Sequence, residues 1–493
     1  MPFASFGLLY PKNFSIFVPY NICNMRFLNF IRIALSIILA VTVVGCSDDQ
    51  EPQGPIKVDT PDAEEQKQPT YTIIYYASGG GASDAEAGRG LDLAIEKSIE
   101  YFQKRQLKRN VKFTACIKWS KGYEGKYVTG EGNTYRFYVD KEHPDFDFEY
   151  VGDNSYAINE PQNIADFITW SKEVAPSDEY ILVLSGHGNG WHPEVGINDA
   201  IDHTRGILRD TDRGCYISCE ELYSALDIAN MHYRMIFLGS CLMNTIEYVT
   251  ALSNFADYIL ASSHISIMFT TELNYLSHIL EREIDNNSDE EFIQGIYDYL
   301  YQDINTTITM TDYIYDRIDF MLTDCRKVNP IVEATKRFTD IMIDLYDESD
   351  RIGDNAFKAK YGATIAEMEA ELANAYYFLG QFMAEIEINY TEYLRQSFTY
   401  DLGDIAKRAA SVINHAELKT AADILHNVSV EAQAVCYATP MVNKSLLHHS
   451  VTFTNATKWE ERNYEESGYE SSLFDQRTGW SRFLKRNNTP LKF

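Results

Sequence analysis

Residues 180–191 have the sequence YILVLSGHGNGW, an apolar run that stops at a histidine set among glycines. The first six residues have the length and composition of a buried strand. His187 follows almost at once, and the glycines around it allow another backbone to approach closely. We therefore predict a strand over residues 180–185 that carries a titratable imidazole at its carboxyl end.

Further apolar runs have the same character. They are YTIIYYAS at 71–78, VKFTACIKW at 111–119, RMIFLG at 234–239 and YILASS at 258–263. Helical patterns separate these runs, at 91–105, around 161–174, at 218–230 and from about 242 onward. Apolar strands that alternate with helices form parallel sheets covered on both faces. The sequence thus predicts an α/β fold with a mostly parallel central sheet, whose site lies at the carboxyl ends of the strands.

The composition excludes one class of function. The chain has 493 residues, 45% of them hydrophobic, and a formal net charge of −29. An acidic chain without a basic stripe cannot neutralise phosphates, so we expect no nucleic-acid partner. The six cysteines that follow Cys46 are too few for a disulfide scaffold in a chain of this length, and we expect no disulfide framework.

The first 46 residues are expected to be a targeting segment. Met25 is the predicted initiator, so residues 1–24 are an over-extended start. An apolar run at 33–44 leads to Cys46 in the sequence VVGC, which resembles a bacterial lipobox. We predict that residues 1–46 hold a lipoprotein signal peptide and that Cys46 is lipidated. An ordinary membrane anchor is the alternative.

The predicted location is the cell envelope. The sequence SDDQEP directly after Cys46 resembles a signal that exports some bacterial lipoproteins to the outer surface. We therefore expect a lipoprotein held by membrane lipid. The favoured location is the outer membrane, with the protein exposed at the surface, and the inner membrane is the alternative.

The mature chain divides into four predicted parts. Residues 47–70, acidic and poor in large apolar side chains, are a disordered tether. Residues 71–275 are the α/β core, residues 276–428 are a helical region, and residues 429–493 are a mixed C-terminal segment that closes the fold.

A second reactive side chain ends another predicted strand. Cys241 follows the run at 234–239 and lies 54 residues after His187; in caspases the histidine also comes first, about 50 residues before the cysteine. If the two strands are neighbours, the imidazole can activate the thiol, and a helix from 242 would stabilise the thiolate. The backbone N–H groups of Gly188 and Cys241 are the candidate oxyanion donors. The alternative is a structural histidine and a buried cysteine of no chemical role.

Several stretches together resemble the clostripain-like cysteine peptidases, in the clan of caspases, gingipains and legumain. They are YILVLSGHGNGW, TRGILRD, ISCEELYSAL, RMIFLGSCLMNTIEYV, ADYILASS and YESSLFDQRTGWSRFL, spread over roughly residues 71–484. The resemblance implies a caspase-like sandwich that hydrolyses peptide bonds through a thioester. It also implies that His187 is the general base or acid and that Cys241 is the nucleophile.

The chain departs from the family pattern at the expected substrate pocket. The family usually has an Asp-Ala pair before the nucleophile, and the Asp helps to hold a basic P1 side chain; here the pair is Gly239 and Ser240. Together with Ser263 and Glu272 these residues are the pocket candidates. Without the carboxylate, strict cleavage after Arg or Lys is not expected.

The segment after the fifth strand also departs from the family. A loop that is usually acidic and rich in Gly and Trp is replaced by HISIMFTTELNY. Its less polar residues either form a pocket wall or belong to the core. They are His264, Ile265, Met268 and Phe269.

We expect no cofactor, with calcium as the one candidate left open. Asp210 and Asp212 share a loop, where they could bind a cation, orient a dyad residue or cap the next helix, but two carboxylates make an incomplete calcium site. His192 and His203 are expected at the surface.

The predicted function is that of a surface-anchored cysteine endopeptidase acting on proteins or peptides. The alternative is a catalytically silent caspase-like lipoprotein that binds a peptide or a partner. A serine hydrolase has little support, because LSGHG lacks the Gly-x-Ser-x-Gly elbow.

Overall fold

The computed structural model describes most of the chain after residue 69. The described residues are 70–79, 91–104, 111–128, 133–191, 206–210, 212–213, 215–264, 288–304, 319–378, 399–438, 447–461, 464–465 and 468–491. Cys46 and the predicted tether up to residue 69 lie outside these ranges, as do His192, His203 and Glu272. None of the helices in the described ranges combines the length and apolarity needed to cross a bilayer.

The strands of the described ranges belong to one large sheet and two small ones. Their bounds are β1 Tyr71–Ser78, β2 Val111–Lys118, β3 Thr134–Val139, β4 Glu149–Gly152, β5 Glu179–Ser185, β6 Ile207–Asp210, β7 Cys215–Ile217, β8 Tyr233–Gly239, β9 Ala256–Ala261, β10 Asp319–Asp324, β11 Thr399–Asp401, β12 Gln433–Ala438 and β13 Ser450–Thr452. The small sheets pair β6 with β7 and β11 with β13, both antiparallel.

The large sheet organises the fold. Its nine strands have the order β12-β10-β9-β8-β5-β1-β2-β3-β4. The five strands at its centre, from β9 to β2 in this order, run parallel, and the strands outside them pair antiparallel. The predicted α/β class with a mostly parallel central sheet is confirmed.

The apolar strands of the sheet are buried on both faces. Every residue of β1 and of β8 is buried, as a parallel strand covered on both sides requires. Alternate side chains enter two separate clusters: Ile74 and Leu182 pack on one face, and Tyr75 and Val183 on the other.

The helices of the described ranges contribute side chains to the two clusters on the faces of the sheet. They are α1 Leu91–Lys104, α2 Pro161–Val174, α3 Cys219–Ala229, α4 Ile246–Leu252, α5 Asp289–Asp298, α6 Val328–Ile352, α7 Asp354–Tyr361, α8 Ile365–Leu372, α9 Leu402–Val412, α10 Ala416–Glu431, α11 Ala456–Glu461, α12 Leu473–Thr478 and α13 Trp480–Leu484. A π-helical turn, Tyr299–Ile304, extends α5. A capping box begins α3: Ser218 Oγ accepts from Glu221 N, and Glu221 Oε2 accepts from Ser218 N.

Two predicted features differ from the structure. The helix predicted from 242 begins only at Ile246, because Thr245 is its N-cap and the chain before it forms a turn. The α/β core is not confined to residues 71–275, since β10 comes from the region predicted as helical and β12 from the C-terminal segment. Both strands are short and partly polar, so their pairing is set by long-range contacts that local patterns do not contain.

The C-terminal segment packs onto the helix that follows the nucleophile candidate. Glu247 of α4 is buried, and its Oε1 accepts from Thr452 N at 2.9 Å and from Tyr469 OH at 2.9 Å. Trp480 Nε1 donates to Thr452 O at 2.8 Å. These bonds join the end of the chain to the central sheet through α4.

The cysteines that the structure describes are thiols. They are Cys116, Cys215, Cys219, Cys241, Cys325 and Cys436. Four of them are buried, whereas Cys241 and Cys436 are partly exposed.

Candidate active site

The strands that precede the two reactive side chains are direct neighbours. β5 and β8 pair in parallel, with Ser185 opposite Gly239. His187 and Cys241 each follow two residues later, so both emerge from the same edge of the sheet at the same level. Each is partly exposed, which leaves a thiol and an imidazole accessible at neighbouring carboxyl ends of a parallel sheet.

The backbones of the two loops are in close contact at Gly188. A Cβ atom on Gly188 would lie 2.6 Å from Cys241 O and 2.7 Å from Ser240 Cβ. Ser240 Oγ donates to Gly186 O at 2.8 Å and ties the two strand ends together. Only glycine permits this approach, which explains the glycine directly after the histidine.

The turn after Cys241 replaces the helix expected there. Leu242 has a φ of 62°, which is rare for a residue with a side chain, and Cys241 is separated from the first turn of α4 by residues 242–245. The prediction that a helix N-terminus stabilises the thiolate is therefore wrong. Leu242 N donates to His264 O at 3.0 Å and Asn244 N donates to Ser262 O at 2.9 Å, so the turn is held by the chain that follows β9.

The loop that carries the histidine is fixed on its other side by β6. Gly188 forms an isolated antiparallel bridge with Ile207, and Asn189 N donates to Gly206 O at 2.8 Å. Trp191 is buried, and its Nε1 donates to Glu220 Oε1 at 3.3 Å. The glycines near His187 thus belong to a loop anchored at both ends.

The described pocket candidates are buried at the sheet edge. Gly239 is the last residue of β8, and Ser240 donates a hydrogen bond to Gly186 O in the loop that carries His187. Ser263 Oγ accepts from Asn244 Nδ2 at 2.8 Å. Their part in P1 selection stays a prediction. Glu272, Ile265, Met268 and Phe269 lie outside the described residues.

His264 belongs to the core rather than to an open pocket wall. It is 3% exposed, and its Nδ1 lies 2.7 Å from Asp319 Oδ1. Sequence reasoning did not find this pair, because Asp319 is 55 residues away and no local pattern joins them.

The loop that contains Asp210 and Asp212 contacts Lys118, a residue that no sequence pattern indicated. Lys118, 3% exposed at the end of β2, donates to both carboxylate oxygens of Asp210 at 2.8 and 2.9 Å, and its Nζ lies 3.6 Å from Asp212 Oδ2. Asp210 is therefore engaged by a buried ammonium, and Ser218 rather than Asp210 caps α3. Within the described ranges no three His, Cys, Asp or Glu side chains converge as metal ligands. Calcium dependence stays untested.

A partly exposed thiol and a partly exposed imidazole that follow neighbouring parallel strands are the arrangement expected of a cysteine peptidase. The sequence matches the clostripain family over residues 127–486. No curated protein sequence matches the chain.

Three solved structures with a similar fold are cysteine proteases. A secreted cysteine protease from Bacteroides thetaiotaomicron in complex with an irreversible peptide inhibitor has a TM-score of 0.54 and 12% identity, over 84% of this chain and 99% of that one. Another structure of a secreted cysteine protease from the same organism has a TM-score of 0.51 and 13% identity, over 83% and 99%. An inactive zymogen protease from Parabacteroides distasonis has a TM-score of 0.52 and 14% identity, over 83% and 97%.

The chain belongs to the clostripain family. It is a cysteine-type peptidase with the fold of the solved proteases of that family. The predicted family, fold and enzyme class are confirmed, and the roles of individual residues are taken up as proposals.

Proposed function

We propose that the protein is an endopeptidase that uses Cys241 as its nucleophile and His187 as its general base and acid. The observation that carries this proposal is the parallel pairing of β5 with β8, with Ser185 opposite Gly239. It brings two partly exposed side chains of complementary chemistry to one edge of the sheet.

The reaction has two steps. His187 takes the thiol proton as Cys241 Sγ attacks the carbonyl carbon of the scissile bond, and the backbone N–H groups of Cys241 and Gly188 stabilise the oxyanion. Collapse of the tetrahedral species breaks the C–N bond, His187 gives its proton to the leaving amine, and a thioester remains on Cys241. Water, deprotonated by His187, hydrolyses the thioester and restores the thiol.

The proposed substrates are proteins or peptides with no strict requirement for a basic P1 residue. The support is Gly239, which leaves the position before Ser240 without a carboxylate. A buried carboxylate that pairs with Arg or Lys is the usual source of sharp basic specificity. A small or apolar P1 residue is favoured in its place.

The proposed location is the cell envelope, with lipidated Cys46 as the anchor and residues 47–70 as the tether. The support is the VVGC sequence after an apolar run. Cys46→Ser should release the protein from the membrane fraction and abolish labelling by a fatty-acid analogue. Unchanged labelling and fractionation in the Cys46→Ser strain would contradict lipid anchoring.

Activity is tested on residues 47–493, with a mixture of unstructured proteins as substrate and cleavage sites read by mass spectrometry, with and without calcium. Cys241→Ala should abolish the cuts, and His187→Ala should reduce their rate by about 10² or more. Cys436→Ala, which removes the other partly exposed cysteine among the described residues, is the matched control and should leave the cuts intact.

Each outcome separates the candidate functions. Cuts that are lost in Cys241→Ala but kept in Cys436→Ala support the dyad, and their positions report the P1 residue. Cuts that persist in Cys241→Ala refute it. If no form cuts while the wild type folds, the silent peptide-binding protein becomes the better account.

A further inference from the structure

The backbone that follows Cys241 is held in place by a neighbouring turn of the chain, not by a helix or strand of its own. Leu242 has a left-handed φ of 62°, a conformation that persists only where surrounding contacts enforce it. Leu242 N donates to His264 O at 3.0 Å, and Asn244 N donates to Ser262 O at 2.9 Å. Asn244 Nδ2 adds a bond to Ser263 Oγ at 2.8 Å. All three acceptors lie in the turn at 262–264.

One buried carboxylate organises that turn. Asp319, the first residue of β10, is 1% exposed. Its carboxylate accepts from Ser262 Oγ at 3.0 Å, from Ser263 N at 3.1 Å and from His264 N at 3.0 Å. The His264 ring closes the set, with Nδ1 2.7 Å from Asp319 Oδ1. The turn is therefore shaped around a single acceptor group from the adjacent strand.

The other side of the imidazole is enclosed as well. His264 Nε2 lies 3.2 Å from Tyr376 OH, and the rings of Tyr376 and Phe378 pack edge-on at centroid distances of 6.1 and 5.1 Å. Tyr376 N in turn donates to Asp404 Oδ2 at 2.8 Å. His264 has hydrogen-bonding contacts at both ring nitrogens, so its position is defined.

The surroundings of the carboxylate favour its ionised form. Burial alone would raise the pKa of Asp319, but the His264 charge and the hydrogen bonds to the carboxylate outweigh it and hold the pKa below its usual value. An ionised carboxylate only accepts hydrogen bonds, so His264 Nδ1 carries the hydrogen between them.

We propose that Asp319 and His264 are positioning residues for the nucleophile. They fix the turn at 262–264, the turn fixes the backbone at 242–244, and that backbone sets the place of Cys241 Sγ and its N–H group. This inference rests on the proposed role of Cys241 in peptide hydrolysis. Loosening the pair should lower kcat rather than raise KM, because it displaces the attacking atom and an oxyanion donor.

The test compares two substitutions of His264 in the mature chain. His264→Phe fills a similar space but removes the donor to Asp319, whereas His264→Asn can present an N–H group where Nδ1 lies. We expect His264→Phe to lower kcat by about 10- to 100-fold with KM within about threefold. His264→Asn should recover at least about fivefold in kcat relative to His264→Phe, as a conservative rescue.

A second readout does not depend on peptidase activity. The rate of alkylation of Cys241 by iodoacetamide is measured by peptide mapping, with Cys436 in the same molecules as the reference thiol. In His264→Phe and in Asp319→Asn this rate should fall at least about threefold relative to that of Cys436, since the thiol is displaced from its activating base. Tyr346→Phe, which removes the buried hydroxyl that donates to Glu369 at 2.8 Å, is the matched control and should change neither readout.

The outcomes distinguish failure of this inference from failure of the proposed function. Wild-type kcat and alkylation in His264→Phe, or a His264→Asn that behaves like His264→Phe, would overturn the positioning role. A wild type that cleaves no peptide would refute the proposed function, while the alkylation rates would still decide the role of the pair. If both His264→Phe and Asp319→Asn fail to fold, Ser262→Ala removes one donor to Asp319 and should lower the alkylation rate about twofold; no change would overturn the proposal.

Discussion

A single methyl group at Gly188 should separate the two halves of the proposed dyad. In Gly188→Ala the new Cβ would lie 2.6 Å from Cys241 O, 2.7 Å from Ser240 Cβ and 3.0 Å from Met243 Sδ. The Met243 side chain can move, but Cys241 O belongs to the backbone. A relaxed carbon-to-oxygen contact is about 3.3 Å or more, so the two loops must move apart by about 0.7 Å. Misplacement by about 1 Å can cost about 10²-fold in rate.

We therefore expect Gly188→Ala to lower kcat/KM by roughly 10- to 100-fold, which corresponds to about 1.4 to 2.7 kcal/mol of transition-state stabilisation. The assay is steady-state hydrolysis of a peptide identified from the cleavage sites, with Tm measured alongside. Gly186→Ala is the matched control from the same loop. Its Cβ would meet Ser78 O at 3.4 Å and Leu208 Cα at 3.5 Å, ordinary contacts, so its activity should stay within about threefold.

The comparison has a clear refuting result. Wild-type kcat/KM in Gly188→Ala would show that the close approach of the two loops is not needed for catalysis. An equal loss in Gly186→Ala would show that the loop responds to any added methyl group, so that the contact with Cys241 O is not the cause of the loss.

Three further predictions concern specificity, pH and stability. Gly239→Asp should shift cleavage toward Arg or Lys at P1, read by mass spectrometry of the products; an unchanged profile would show that this position does not line the pocket. Burial, with a smaller contribution from the charge of His448, lowers the pKa of His449 to about 3. Below about pH 6.5 the unfolded chain therefore binds a proton that the folded chain does not. Each unit by which the pH falls between about 6.5 and 3 should thus lower the unfolding free energy by about 1.4 kcal/mol. Urea unfolding at about pH 7.5 and 5.5 should show a smaller difference for His449→Gln than for the wild type, and equal differences would contradict this account. Ser218→Ala removes the N-cap of α3 and should lower the unfolding free energy by about 1 kcal/mol with no effect on kcat, whereas an unchanged urea midpoint would show that the capping box adds nothing to stability.

Elements with strong local patterns were predictable to within a few residues. The strand at 71–78 and the helix at 161–174 have the predicted bounds, and the strand predicted at 258–263 is the Ala256–Ala261 strand β9. The helix predicted from 242 begins four residues later, because the turn after Cys241 depends on acceptors in the chain after β9. An apolar periodicity does not record such contacts, so it overextends the helix.

The residues of the candidate site were likewise only partly predictable from the sequence. The glycine-flanked histidine and the cysteine after an apolar run are visible in the sequence because each follows a strand with a strong local signal. Lys118 and Asp319 are not visible, because their importance comes from partners at distant positions: Asp210 for the first and His264 for the second.

Local sequence is thus sufficient for the α/β class, for the central strands and for the two candidate reactive residues, because side-chain periodicity and residue type act over a few neighbouring positions. The tertiary structure alone decides that β5 and β8 are adjacent and in register, that the thiol sits in a strained turn rather than at a helix N-terminus, and that a buried Asp–His pair supports this turn. Each of these depends on hydrogen bonds between residues far apart in the chain, whose geometry exists only once the sheet has formed.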